Sequence, residues 1–91
     1  MNESGWEGTI VTRGGAMTKI ALRDARTQVG LTQRELAALA HIHYNAISGC
    51  ENGRAILRLT AYALLDAIND KRKARGWEPL TIDEVEWKLR G

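Results

Sequence analysis

Four side chains of types that bind metal ions lie within residues 40–53, AHIHYNAISGCENG: those of His41, His43, Cys50 and Glu51. Imidazole, thiolate and carboxylate groups are ligands of zinc, and a structural zinc site needs four of them converging on one ion. The two histidines are close enough to share an ion from a turn. However, Cys50 is expected to point inward from a helix, and no second cysteine or acidic cluster completes the set. We therefore expect no metal ion and, since no polar cluster forms a pocket, no cofactor.

The elements that position these residues are predicted to be helices. Apolar residues recur at helical spacing, which predicts an all-α fold of five helices. T-x-x-E capping boxes, Thr32 with Glu35 and Thr81 with Glu84, indicate the starts of the second and fifth helices. The predicted helices cover residues 18–30, 33–40, 44–53, 59–76 and 81–90, with Thr18 as the N-cap of the first.

Each predicted helix has one apolar face, and these faces are expected to meet in a single core. Ile42, in the HIH segment between the second and third helices, is expected to hold that turn onto the core. The predicted core-facing residues are Leu22, Ala25 and Val29; Leu36, Leu39 and Ala40; Ile47 and Cys50; Ala61, Leu64, Leu65 and Ile68; and Ile82, Val85 and Leu89.

The first sixteen residues differ from the rest of the chain. Residues 1–16 contain four of the nine glycines and show no helical period. We interpret them as a flexible tail and residues 17–91 as one domain, which is the usual organisation for a chain of 91 residues. Met17, where the helical pattern begins, is a conceivable alternative start of the protein.

Charge and hydropathy limit the classes of function. Residues 17–58 contain six Lys/Arg and three Asp/Glu, whereas residues 59–91 contain six of each. A modest basic excess is compatible with a surface that faces phosphates, although it is also common on ordinary solvated surfaces. No apolar run is long enough to cross a membrane, and a single cysteine fits a reducing compartment, so we expect a cytoplasmic protein.

Two short helices joined by three residues, His41 to His43, indicate a helix-turn-helix, whose second helix lies in the major groove of DNA. If Ile47 and Cys50 face the core, the opposite side of this helix presents polar groups that can hydrogen-bond base edges. In addition, residues 22–54, LRDARTQVGLTQRELAALAHIHYNAISGCENGR, resemble the Cro/C1-type helix-turn-helix family, also called the Xre family. The matching signals are L-R-x-A-R, G-L-T-Q-x-E-L-A and I-S-x-x-E-N-G-R at the family's spacing.

The resemblance implies a five-helix, lambda-repressor-like domain that binds double-stranded DNA as a transcriptional regulator, in most cases a repressor. It also implies roles for individual residues. Tyr44, Asn45 and Ser48 would contact bases, and Gln33 would contact a phosphate while bracing the third helix. The remaining phosphate contacts implied are the side chains of Arg34, His43 and Arg54 and the backbone amide of Asn52. Each could instead be an ordinary surface residue.

Arg26 and Glu51 match a family pair that forms a partly buried salt bridge between the first and third helices. The chain departs from the family at three points, one of which is the absence of the proline that often follows ENG. Gly49 stands where a base-reading side chain is common, and His41 stands where glycine often follows the second helix; His41 is therefore expected to have a left-handed backbone.

We expect a homodimer, because two modules double the few contacts that one can make. The predicted C-terminal helix, with Trp77 or Trp87, is the expected surface for the second copy or for another protein, unless both tryptophans cap the core. Two alternatives remain: an antitoxin of the HigA type, which binds DNA and a toxin, and a protein-interaction module that has lost DNA binding. No nucleophile with a neighbouring base and no phosphate-binding glycine loop is present, so we do not expect an enzyme.

Overall fold

The structure, a computed structural model, describes residues 19–91, which form four α-helices, one turn of 3-10 helix and four short strands. Four of the five predicted helices are confirmed, but the prediction of Thr18 as the N-cap of the first is wrong, because that helix begins at Leu22 after the N-cap Ala21 and the preceding Ile20–Ala21 is a strand. The proposed tail, residues 1–16, lies outside the described residues. In chain order the elements are β1 (Ile20–Ala21), α1 (Leu22–Gln28), α2 (Gln33–Ala40), α3 (Tyr44–Glu51), β2 (Ala55–Leu57), α4 (Arg58–Ala74), the 3-10 turn (Ile82–Glu84), β3 (Val85–Glu86) and β4 (Lys88–Arg90).

Both ends of α2 follow from its sequence. Glu35 N donates to Thr32 Oγ1 at 3.0 Å, and Thr32 N donates to Glu35 Oε1 at 2.9 Å, so the predicted capping box is confirmed. At the other end, His41 has a φ of 59° and a ψ of 43°, which confirms its left-handed backbone. Ile42 then packs against the core and turns the chain toward α3.

One hydrophobic core joins the helices, and most of the predicted inward residues are in it. Leu36, Ile47, Leu64 and Ile68 are fully buried. The prediction for Leu39 is wrong, because this side chain is 47% exposed beside α4. The other buried members are Leu22, Ala25, Val29, Leu31, Ala37, Cys50, Ile56, Ala61, Leu65, Ala67 and Val85.

The prediction of a fifth helix is wrong. The capping box of Thr81 and Glu84 does form, with Thr81 N donating to Glu84 Oε1 at 2.8 Å. The helix nevertheless ends after Ile82–Glu84, and Val85 is already extended at φ −105° and ψ 141°. The reason is the alternation of apolar and charged residues in 85–90, VEWKLR, whose odd-numbered members turn toward the core and whose even-numbered members are exposed.

The C-terminal strands pair with the segments on either side of the helix-turn-helix. β3 runs parallel to β1, with Val85 opposite Ile20, and β4 runs parallel to β2, with Leu89 opposite Ile56. As a result, the predicted dimer surface on a C-terminal helix does not exist in this form. Trp87 is half-buried and donates its indole N–H to the Ile82 carbonyl at 3.1 Å.

Candidate nucleic-acid interface

The first turn of α3 is capped by His43. Its Nδ1 accepts a hydrogen bond from Asn45 N at 3.1 Å, so a neutral His43 must carry its proton on Nε2. The ring is exposed, and Nε2 has no partner among residues 19–91. His43 therefore satisfies a free helix amide with one nitrogen and keeps a donor for a ligand on the other. Sequence reasoning missed the capping role because histidine is not a common N-cap.

The aromatic ring of Tyr44 is held between neighbouring residues. The Arg34 guanidinium carbon lies 4.2 Å from the centre of this ring, and the His43 ring stacks on it at 5.3 Å with 24° between planes. A cation over an aromatic face is favourable, and here the contact links α2 to α3. No spacing signal in the sequence predicted this contact, because the two residues belong to different helices. Tyr44 is thereby half-buried and fixed in orientation.

The remaining outward residues of α3 differ in how many of their polar groups already have hydrogen-bond partners. Asn45 is exposed and Ser48 is half-exposed, and their side chains have no partner within residues 19–91. Asn52 is more constrained, since its backbone amide already donates to the carbonyls of Ser48 and Gly49, each at 3.1 Å. One hydrogen of its side-chain amide also donates to Ser48 O, at 2.9 Å. Of the N–H donors of Asn52, only the second hydrogen of that side-chain amide is therefore available to a ligand.

Gly49 lies where the side chain of Arg54 crosses α3. A Cβ atom added at Gly49 would lie 3.3 Å from Arg54 Cδ and 3.7 Å from its Cβ. The departure from the family at this position thus has a local explanation: glycine lets the aliphatic part of Arg54 lie against the helix. The Arg54 guanidinium has no hydrogen-bond partner among the described residues.

A partly buried ion pair fixes α3 to α1 and α2. Arg26 Nε lies 2.7 Å from Glu51 Oε2, and Arg26 Nη2 lies 3.1 Å from Glu51 Oε1. Gln33 Nε2 donates to the same Oε1 at 2.9 Å, and Arg26 Nη1 donates to Leu31 O at 2.9 Å. The carboxylate of Glu51 is therefore neutralised by its surroundings, and α3 presents no uncompensated negative charge.

Burial alone would raise the pKa of Glu51, but the hydrogen bonds from Arg26 and Gln33 and the charge of Arg26 outweigh it. The pKa of this carboxyl is consequently held below its ordinary value. Gln33 thus braces α3 through Glu51.

These contacts belong to two short helices joined by a tight turn, the geometry of a helix-turn-helix. The family model of the helix-turn-helix matches residues 22–71, more than half of the chain. The chain belongs to the Cro/C1-type helix-turn-helix family. No curated protein and no solved structure matches it.

Cro/C1-type domains are DNA-binding domains of transcriptional regulators and are typically not enzymes. In this Cro/C1-type domain the two helices of the motif are α2 and α3, and the matched region ends within α4. Both C-terminal strands lie outside it. Within residues 19–91, no helix is long and apolar enough to cross a membrane.

In this Cro/C1-type domain, the His, Cys and Glu side chains of residues 40–53 do not converge on one point. Cys50 is 6% exposed and faces the core, whereas His43 caps the opposite end of α3 and Glu51 is bound to Arg26. Among the described residues, no group of three or more His, Cys, Asp or Glu side chains is placed to hold an ion. Burial, and after it the charge of Glu51, raises the pKa of the Cys50 thiol to about 11.

Proposed function

We propose that this protein is a sequence-specific transcriptional regulator, acting as a repressor, that inserts α3 into the major groove of its operator. The observation that carries the proposal is the outward side of α3, where the side chains of Asn45 and Ser48 have no partner among residues 19–91 and the only carboxylate of the helix, that of Glu51, is neutralised. A helix with donors and acceptors but no free negative charge can approach the polyanionic duplex. Repression follows from occupancy, because a domain in the groove excludes polymerase from the same base pairs.

Base reading is assigned to Tyr44, Asn45 and Ser48. An asparagine amide can bond adenine N6 and N7 at the same time, which makes Asn45 the main specificity residue in this proposal. Tyr44, stabilised by Arg34, would present a rigid edge to a thymine methyl group or a phosphate. Ser48 can donate or accept, so its contribution to sequence discrimination is smaller.

Phosphate contacts are assigned to groups around these three residues. The first backbone amides of α2, at Gln33 and Arg34, have no partner inside the helix and lie at the positive end of its dipole. His43 Nε2, the free amide hydrogen of Asn52 and the Arg54 guanidinium complete the set. The side chains of Gln33 and Arg34 are engaged with Glu51 and Tyr44, so we assign them to positioning as well as to contact.

A homodimer is part of the proposal, on a surface different from the one expected from the sequence. Leu59 is 84% exposed, and Leu57 and Tyr62 beside it are 46% and 42% exposed. This surface follows directly after the loop that leaves α3, so a second copy on it would place two recognition helices side by side, as two half-sites about 34 Å apart require. Trp77 is a weaker choice, because Arg72 and Arg75 lie 5.6 Å from its ring.

The DNA-binding proposal is tested by fluorescence anisotropy on a random-sequence duplex, measured from about 50 to about 200 mM salt, followed by selection from that pool. We expect log affinity to fall linearly with log salt and selection to enrich a palindrome. Asn45→Ala should lower affinity for the selected site by about 1–3 kcal/mol and leave random DNA unaffected. Lys73→Ala is the control, since Lys73 is an exposed basic residue on the last turn of α4. Absence of salt-dependent binding would refute the proposal and favour a protein-interaction module.

The dimer is tested separately by light scattering on the eluting protein. Leu59→Glu should convert the dimer to a monomer, whereas Trp77→Glu should not. The opposite pattern, or a wild-type monomer at high concentration and on the selected operator, would exclude this surface.

A further inference from the structure

We propose that the C-terminal strand enlarges the DNA-binding surface: Lys88 on β4, together with Arg23 on α1, contacts phosphates beside the end of α3. This inference rests on the proposed function and adds to it a pair of contacts outside the helix-turn-helix. Lys88 lies beyond residues 22–71, the part of the chain that matches the family, so its contact would be a property of this chain, whereas Arg23 lies within that part.

The register of the strands places Lys88 next to the loop that leaves the recognition helix. β4 runs parallel to β2 with Lys88 opposite Ala55, the residue that follows Arg54. Paired strands lie about 4.8 Å apart, and paired residues project to the same side. Leu89, opposite the buried Ile56, is turned toward the core, whereas Lys88 and Ala55 are exposed. Strand pairing therefore holds the backbone of Lys88 next to the loop that leaves α3, which the proposed function places against phosphates.

Arg23 and Lys88 meet at one recess of about 230 Å³ between the start of α1, the end of α3 and the C-terminal segment, and Gly53 lines the same recess. Both basic side chains belong to exposed residues, and neither forms a hydrogen bond or an ion pair within residues 19–91. Arg23 acts on the Glu51 carboxylate through its charge alone, so within the described residues both basic groups keep their hydrogen-bond donors for a ligand. With Arg54 they make three basic groups around the end of α3 that form no hydrogen bond or ion pair among residues 19–91.

Two carboxylates line this recess as well. Glu51 is already paired with Arg26, so its charge is compensated. Glu86, on β3, is exposed and is the only carboxylate without an ion-pair partner among the described residues that line the recess. The local balance remains positive, and Glu86 supplies a variant whose effect should have the opposite sign.

The experiment measures the affinity of the full chain for a labelled random-sequence duplex at several salt concentrations. Lys88→Gln and Arg23→Gln should each reduce the slope of log affinity against log salt by about 1 per protomer, because each removes one phosphate contact. Glu86→Gln should raise the affinity at every salt concentration. Lys73→Gln, an equal loss of charge at the far end of α4, should leave the slope unchanged. Thermal melting of each variant verifies folding, which these exposed positions are expected to tolerate.

The outcomes separate this inference from the proposed function. If wild type binds with a salt-dependent affinity but Lys88→Gln and Arg23→Gln behave like Lys73→Gln, the additional contacts are refuted and the function stands. An equal reduction of the salt slope in Lys88→Gln, Arg23→Gln and Lys73→Gln would also refute the additional contacts, because the effect would then reflect net charge alone. If wild type does not bind DNA at low salt, both proposals fail.

Discussion

Arg26 and Glu51 form a two-point ion pair across 25 positions of the chain, with Nε–Oε2 at 2.7 Å and Nη2–Oε1 at 3.1 Å. The side chains are 11% and 6% exposed, so solvent screens their interaction only weakly. The pair fixes the far end of α3 to α1, while the contact of Arg34 with Tyr44 fixes its beginning to α2. The orientation of the candidate recognition helix thus depends on two polar contacts as well as on the core.

Removing one member of this pair should be costly. Glu51→Ala leaves the Arg26 guanidinium buried without its carboxylate, and we expect a loss of about 3 kcal/mol in the free energy of unfolding, measured in urea. Replacing both residues, Arg26→Met with Glu51→Leu, should recover most of that loss, since no unpaired charge is left. A double variant as unstable as the single one would mean that the pair acts through something other than charge.

The same pair predicts how stability depends on pH. The pKa of Glu51 is lower in the folded protein than its ordinary value of 4.5, so the carboxylate stabilises the fold fully above pH 4.5. This contribution is lost as pH falls through the folded-state pKa, where Glu51 takes up a proton. The difference in unfolding free energy between wild type and Glu51→Gln should therefore be largest at neutral pH and shrink in acid. A difference that stays constant down to pH 2 would contradict this assignment.

The helices could be predicted from the sequence because their signals are local. The capping box at Thr32 and Glu35 and the apolar spacing of α1, α3 and α4 each depend on residues within a few positions of one another. The C-terminal segment could not be assigned in this way. Ile82, Val85 and Leu89 have helical spacing, but the strict alternation in 85–90 matches a strand equally well, and pairing with β1 and β2 decides the outcome.

The same distinction between local signals and long-range contacts applies to the candidate site. The residue types on α3 and the pairing of Arg26 with Glu51 followed from the resemblance to the family. The stacking of Arg34 on Tyr44 and the path of Arg54 over Gly49 depend on how separate segments meet, and no spacing rule encodes that. Neither contact could therefore be predicted from the sequence.

Gly49→Ala should affect stability and DNA binding in opposite directions. Alanine favours a helix over glycine by about 1 kcal/mol, and the flexible Arg54 side chain can move away from the new methyl group. We expect a gain in the free energy of unfolding of less than about 1 kcal/mol, together with weaker binding to random DNA, since Arg54 is displaced from its position. In an Arg54→Ala background the same substitution should no longer change binding. If it does, the glycine acts directly at the groove.

The thiol of Cys50 should be inert in the native protein. It is 6% exposed, and with a pKa of about 11 only about one molecule in a thousand carries a thiolate at pH 8. A disulfide reagent such as Ellman's reagent should react slowly without denaturant and at once in urea. Rapid native labelling would show that α3 opens from the core far more often than the buried Ile47 and Cys50 indicate.

The pairing of the C-terminal strands has a consequence for how the molecule folds. Ile20 and Val85 are 65 positions apart, whereas the contacts among α1, α2 and α3 join residues much nearer in the chain. Long-range pairings close last, since the chain loses most entropy in forming them, so we expect the helices to assemble first and the strands to dock afterwards. The last unit to dock is also the first to be released in native fluctuations. Each such opening would carry Lys88 away from the end of α3 while the helix-turn-helix stays folded, which would make DNA affinity sensitive to the stability of a segment that lies outside the motif.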